Sequence, residues 1–303
     1  MKRWGGAIKP ELNLTEIKEQ MTSTIDRIDQ DQSIQIQRDE FASEEYLDPN
    51  ARLPRIQALR GATPKQCGYF IEINQAAKAG WLNFDEKTLV DYSFESSGET
   101  EQGILFNKMR MLVCPRTPVL ALDKAATKEQ QQNVFTGYYK KAIYGADENF
   151  TNFQAFEVLL LDKENKPLHQ VPLSLKLKGA AQASFSQKWQ EFVQKITSCH
   201  AISCGIPASE KAMTFKSLCV FAFEVKREMA GDKTKSPACK VTGYEVPTLE
   251  SWKNYFVGYD TQTKEFVWQG LQPKRPLIQP EQIMAALPPV SDVEALAAAG
   301  IDF

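Results

Sequence analysis

Cys199, His200 and Cys204 bring two thiols and an imidazole within one short stretch of this sequence. The chemistry such a trio offers is zinc ligation, with Cys219 or Cys239 completing a tetrahedral set. The spacing argues against it: structural zinc sites draw two ligands from one turn, as in C-x2-C or H-x3-H, and C-H-x3-C is not such a pair. The thiols therefore read as reduced and partly buried. His169 and His200 are the only histidines, which leaves little material for imidazole-dependent nucleophilic catalysis. No G-x-S-x-G, no G-x4-G-K-[ST] and no H-E-x-x-H is present, so no ordinary hydrolase or nucleotide-consuming motif is in hand. A carboxylate-held metal, as in nucleases, stays open because Asp and Glu are abundant. No catalytic residue, metal or cofactor is assigned.

A second constellation is cationic. Ser174, Lys176 and Lys178 alternate with Leu173, Leu175 and Leu177, so a strand here turns its leucines to a core and its lysines outward. Lys188, Lys216, Lys226 and Arg227 could join them along a phosphate backbone. Bases would then need aromatic faces, and Tyr244, Tyr255, Phe256, Tyr259, Phe266 and Trp268 crowd the following third of the body, Tyr255 and Trp268 being the candidates for stacking. The competing reading makes the lysines the solvated face of an edge strand and the aromatics core. Arg52, Arg55 and Arg60 share that ambiguity.

These residues need elements to hold them. Glu11 to Gln30 spaces Leu14, Ile17, Met21, Ile25 and Ile28 by threes and fours, an amphipathic helix. Leu53–Arg60 opens the folded part, with Leu53 and Arg55 on a strand-like alternation, and strands are expected at Cys67–Ile73, Leu89–Phe94, Gly103–Asn107, Met109–Cys114 and Pro118–Asp123, with a short helix over Ala76–Gly80. One helix is expected over Lys128–Ile143, closed by Gly145. Phe153–Asp162 and Leu168–Leu177 form a hairpin. Phe185, Trp189, Phe192 and Ile196 define a helix over Ser184–Ile196 with Ser184 as N-cap. A strand over Lys216–Met229 pairs with Lys240–Val246, followed by a short helix over Leu249–Phe256 and a strand over Thr263–Trp268. The fold class is α+β, rich in antiparallel strands, with an OB-like, partly closed barrel or barrels carrying two or three packed helices.

Charge divides the chain further. Residues 11–50 carry 11 acidic and 3 basic side chains, residues 153–280 carry 17 basic and 12 acidic, and residues 281–303 carry 4 acidic and none basic. Three regions follow: an acidic arm over 1–50, a body over 51–270 with a subdivision near 150, and a proline-bearing linker with an acidic tail over 271–303. The cysteines have no framework spacing, and MKRWGGAIKP lacks the apolar stretch of a secretory signal, so a reduced cytoplasm is expected. The longest apolar runs are far shorter than a membrane span, and no membrane partner is expected.

Two resemblances add to this. Gly300-Ile-Asp302-Phe303, behind the linker, is similar to the acidic tips with a terminal phenylalanine of bacterial and phage single-stranded DNA-binding proteins. That implies recruitment of replication and repair proteins through Asp302 and Phe303, in competition with DNA for the basic groove. Leu53-Pro-Arg-Ile-Gln-Ala-Leu-Arg-Gly61, Cys67-Gly-Tyr-Phe70 and Pro172-Leu-Ser-Leu-Lys-Leu-Lys-Gly179 resemble an uncharacterised domain family of cyanobacteria and their plasmids, some members of which look like phage single-strand binders. The expected function is a non-catalytic protein of DNA replication, recombination or repair that binds single-stranded DNA or RNA through Lys176, Lys178, Lys188, Lys226, Arg227, Tyr255 and Trp268. The alternatives are an oligomeric assembly protein of plasmid or phage origin, using the N-terminal helix, and a metal-dependent nucleic-acid enzyme.

Overall fold

The computed structural model of the chain describes residues 53–265, apart from 83, 95, 96, 232–234, 262 and 263. Contacts divide the chain after Ala51, and the described residues all belong to the unit Arg52–Phe303. The arm helix expected over Glu11–Gln30, Trp268 and the tail with Asp302 and Phe303 lie outside them.

Among the described residues the fold is α+β, built on one curled, mixed sheet. Its strands are β1 (Arg55–Leu59), β2 (Gly68–Glu72), β3 (Leu89–Ser93), β4 (Thr100–Phe106), β5 (Lys108–Pro115), β6 (Leu120–Asp123), β7 (Val134–Tyr138), β8 (Phe150–Leu161), β9 (Leu173–Lys178), β10 (Val220–Ala230) and β11 (Ser236–Tyr244). The order across the sheet is β11-β10-β5-β8-β9-β1-β2-β4-β3, and β6 branches from β8 to carry β7. The β1–β9 ladder is parallel, whereas β8–β9 and β5–β8 are antiparallel. The path ends at β11 and β3, so the sheet is a half-barrel with open ends.

Period-two alternation sets which side chains enter the core. Leu173, Leu175 and Leu177 of β9 are fully buried, and Lys176 and Lys178 between them are exposed. The long strands β8 and β10 carry apolar residues on both faces, as strands covered on both sides do. On the inner face Met111, Val113, Phe156, Val158, Leu160 and Phe221 form the main core, and their neighbours Leu112, Leu159 and Val220 form a smaller cluster on the other face with Val257.

Five helices accompany the sheet among the described residues: α1 (Ile73–Lys78), α2 (Lys124–Gln130), α3 (Lys141–Tyr144), α4 (Gly179–Cys204) and α5 (Met213–Ser217). Only α4 is long. It lays Phe185, Trp189, Phe192 and Ile196 on the inner face, where the Phe185 ring meets Phe156 at 5.0 Å, Phe221 at 5.7 Å and Phe223 at 5.6 Å. Gly205 ends the helix in the left-handed conformation that lacks a penalty for glycine.

Several expectations are corrected. The helix expected over Lys128–Ile143 is interrupted: Gln131 takes a left-handed conformation after α2, and Val134, Phe135, Gly137 and Tyr138 then pair with β6 as β7, around a bulge at Thr136. Propensity explains it, since a β-branched and aromatic run next to an available edge gains more as strand. Ser184 is not an N-cap. The helix starts five residues earlier, at Gly179, and Ser184 donates to the Ala181 carbonyl while accepting the Val241 N–H. Lys216 belongs to α5 rather than to a strand, because Leu218 N–H returns to the Thr214 carbonyl. The helix over Leu249–Phe256 is a 3-10 turn, Trp252–Tyr255. Within the strand expected over Thr263–Trp268, Lys264 and Glu265 are helical, Lys264 N–H bonding back to the Asp260 carbonyl.

Candidate nucleic-acid interface

Lys176 and Lys178 stand two residues apart on the exposed face of β9. Neither has an ion-pair partner among the described residues. Lys178 Nζ lies 5.8 Å from the centre of the Phe153 ring and donates to Asn133 Oδ1 at 3.4 Å. Burial, and then the charge of Lys176, hold the Lys178 ammonium below the ordinary lysine range. Phe153 sits directly across from Lys178 in the β8–β9 ladder and belongs to a small apolar cluster with Leu120, Leu122 and Ala155. Parallel pairing brings Arg55 of β1 opposite Ser174, on the same face, but its guanidinium lies 3.8 Å from Glu72.

The remaining expected contacts are dispersed. Lys188 is on α4, which packs on the face of the sheet opposite to Lys176 and Lys178, and bonds Glu191 at 2.9 Å. Lys226 is on β10, three strands away from β9, with Glu224 at 3.2 Å. Arg227 is held inward: it stands opposite the buried Cys239, and its Nε donates to the Gly61 carbonyl at 3.1 Å. Tyr255 donates to Glu245 at 3.1 Å and carries the Arg110 guanidinium over its ring at 5.5 Å. Burial first, then Glu245, raises its hydroxyl pKa. That ring face is therefore already in use by a cation.

The thiol and imidazole trio takes its own form. Cys199 is buried with its Sγ toward the Pro247 carbonyl, whereas Cys204 is exposed and lies 3.7 Å from His200 Nε2. Burial, then Lys211, lowers the pKa of His200. No group of three or more His, Cys, Asp and Glu positioned for a metal occurs among the described residues. Cys67 and Cys239 meet in the core near Arg227; their mutual hydrogen bond favours the thiolate at Cys67 and disfavours it at Cys239.

Two concave regions were not legible in the sequence. One, of about 570 Å³, opens beside Lys108, Arg110 and Tyr244, where Glu224 and Glu245 pair with the two cations. The other, of about 1060 Å³, runs along α4 under residues 208–216 and is lined by Arg116, Trp189, Gln190, Gln194, Lys211 and Lys216. Arg116 bonds Glu157 at 2.6 Å and Lys216 bonds Glu210 at 3.2 Å. Trp189 is 8% exposed, and its indole N–H has no acceptor. A buried donor left unpaired costs about 1–3 kcal/mol. In the sequence Trp189 reads only as one of the core positions of an amphipathic helix, and the polar residues Gln190 and Gln194 beside it are the signal that its flank is not core.

An open, curled α+β sheet with one long helix on its inner face defines the class of this protein. The chain belongs to the family described as a domain of unknown function (DUF5895), whose model matches residues 50–289. It is also similar to uncharacterized protein 254L of Invertebrate iridescent virus 6, 27% identical over 168 residues, which is 54% of this chain and 50% of the viral protein. The chain thus spans about half the length of that relative. No solved structure matches.

Proposed function

We propose that this protein is a non-catalytic binder of single-stranded nucleic acid in DNA replication, recombination or repair, and that the outer face of β9 meets the phosphates. The observation that carries this reading is the pair Lys176 and Lys178, two neighbouring ammonium groups on one exposed strand face, neither of them ion-paired with a carboxylate among the described residues. Burial first, and the like charge of Lys176 second, lower the pKa of Lys178, and an anionic chain across the pair relieves the part that comes from the like charge. The curled sheet offers the strand with its lysines as the face of an OB-type barrel would. Asp302 and Phe303, at the end of the acidic tail, would recruit partner proteins.

The footprint in this reading is smaller than the sequence suggests. Lys188 and Lys226 are each already paired with a carboxylate, and Arg227 is committed to a backbone carbonyl. Two lysines on single-stranded DNA contribute about −1.4 to the slope of log affinity against log salt, at about −0.7 per contact. Fluorescence anisotropy with a labelled oligothymidylate, from low to physiological salt, measures this. The Lys176→Ala/Lys178→Ala variant is expected to flatten the slope by that amount and to weaken binding to an oligouridylate in parallel. No binding at low salt, or a slope that the double substitution leaves unchanged, would overturn the reading.

A further inference from the structure

We propose that Tyr138 is the base-stacking residue of the β9 surface, and that the nucleic acid crosses the strands from Lys178 on β9 to Tyr138 on β7 with its bases unpaired. This rests on the reading of Lys176 and Lys178 as phosphate contacts and supplies what that reading lacks, an aromatic face. Phosphate contacts hold a polyanion without regard to its bases, whereas an exposed ring selects a strand whose bases are free to stack.

Three ladders place the two ends in one row. Lys178 stands opposite Phe153, Phe153 opposite Leu120, and Leu120 opposite Tyr138. Residues directly opposite one another share a face of the sheet, so Tyr138 projects on the side that carries the β9 lysines. Three steps of about 4.8 Å put the two residues about 14 Å apart along the sheet. The curl shortens that path: Lys178 Nζ donates to Asn133 Oδ1 at 3.4 Å, and Asn133 directly precedes β7. Phe153 and Leu120 are buried between the two ends, with the Phe135 ring 4.9 Å from that of Phe153, so the row has a packed apolar floor.

Position singles out Tyr138 among the exposed aromatic side chains of the described residues, which are Phe84, Tyr138 and Tyr259. Tyr259 packs on Trp252 and Phe256, and Phe84 precedes β3, four strands from β9. Tyr138 is 51% exposed, and among the described residues its ring meets no other ring and its hydroxyl has no partner. Just after it, Tyr144 stacks on Tyr139 at 6.0 Å and meets Phe150 at 5.0 Å, which seats the turn that follows Tyr138.

Fluorescence anisotropy on the full chain tests this with two labelled probes of one length, an oligothymidylate and an abasic oligonucleotide that keeps the phosphates and lacks the bases. The parent is expected to bind the oligothymidylate about tenfold more tightly than the abasic probe. Tyr138→Ala is expected to remove that preference by weakening oligothymidylate binding about tenfold, within the range for one lost stack, with the salt slope unchanged. Tyr138→Phe keeps the ring and is expected to retain the preference. The proposal is overturned if the abasic probe binds the parent as tightly as the oligothymidylate, if Tyr138→Ala keeps the preference, or if Tyr138→Phe loses as much as Tyr138→Ala. Those results leave the β9 reading standing where Lys176→Ala/Lys178→Ala still flattens the salt slope, whereas no binding of either probe at low salt overturns both. Circular dichroism on Tyr138→Ala shows that the variant is folded.

Discussion

Phe185→Ala is expected to lower the free energy of unfolding by about 4 kcal/mol, the middle of the range for removing a buried phenyl ring. The side chain is wholly buried, and its ring contacts Phe156 on β8 and both Phe221 and Phe223 on β10. It is therefore the point at which α4 is seated on two strands that are separated in the sheet by β5. Neighbours fixed on two separate strands cannot all move into the space the ring leaves, so a cavity term adds to the lost burial. Phe185→Leu keeps most of the volume and is expected to cost about 1–2 kcal/mol, within what shape changes in a core usually cost. Ile143→Ala, at a position 61% exposed, is expected to stay within about 0.5 kcal/mol. Urea unfolding followed by far-ultraviolet circular dichroism gives all three. A loss below about 1 kcal/mol for Phe185→Ala would mean that α4 is not the lid of this core.

The same residue marks what was legible in the sequence. Phe185, Trp189, Phe192 and Ile196 recur at helical spacing, and all four are buried. The alternation in β9 likewise separates Leu173, Leu175 and Leu177 from Lys176 and Lys178, because a period of two decides a face without reference to a partner strand. What pairs with what is different. β5 lies between β10 and β8, and β9 pairs in parallel with β1, more than a hundred residues before it. Those ladders depend on contacts between distant segments that no local pattern encodes. β7 was hidden for a related reason: Val134 to Thr136 becomes strand because β6 presents an edge to it.

The candidate site divides in the same way. Glu191 follows Lys188 by three residues on a helix, so their pairing could have been read from spacing. The carbonyl that holds Arg227 belongs to Gly61, 166 positions away, and could not. The groove beside Trp189 is assembled from α4, the end of β5 and residues 208–216, and only the fold brings these together.

Acidification is expected to cost stability through His169, by about 2 kcal/mol between pH 7.5 and pH 5 and about 3 kcal/mol by pH 4, at about 1.4 kcal/mol per pH unit for one proton. The imidazole is fully buried, stacked on Trp81 at 5.6 Å. Leu160 N–H donates to its Nε2 at 2.9 Å, so Nε2 is the acceptor and Nδ1 carries the proton that bonds the Val171 carbonyl at 2.8 Å. The neutral ring thus satisfies both nitrogens, and a second proton would have to displace the Leu160 N–H. Burial, offset in part by the Val171 bond, lowers the pKa from 6.5 to about 4. The sign follows from proton uptake. Between pH 6.5 and about 4 the unfolded chain binds a proton that the folded chain refuses, so the stabilisation is complete above pH 6.5 and falls as the pH drops through that window. Below about pH 4 the folded ring is protonated as well, and the loss levels off. Carboxylates titrate in the lower part of the same range, and His169→Asn removes the imidazole while keeping them. The quantity to measure is therefore the difference in unfolding free energy between parent and variant, by urea titration at pH 7.5, 6, 5 and 4.5. A parent advantage that shrinks by about 2 kcal/mol by pH 5 is the expected result. A difference that stays constant with pH would mean that the buried ring accepts its second proton as readily as the unfolded chain does, which the bond from Leu160 N–H forbids in this fold.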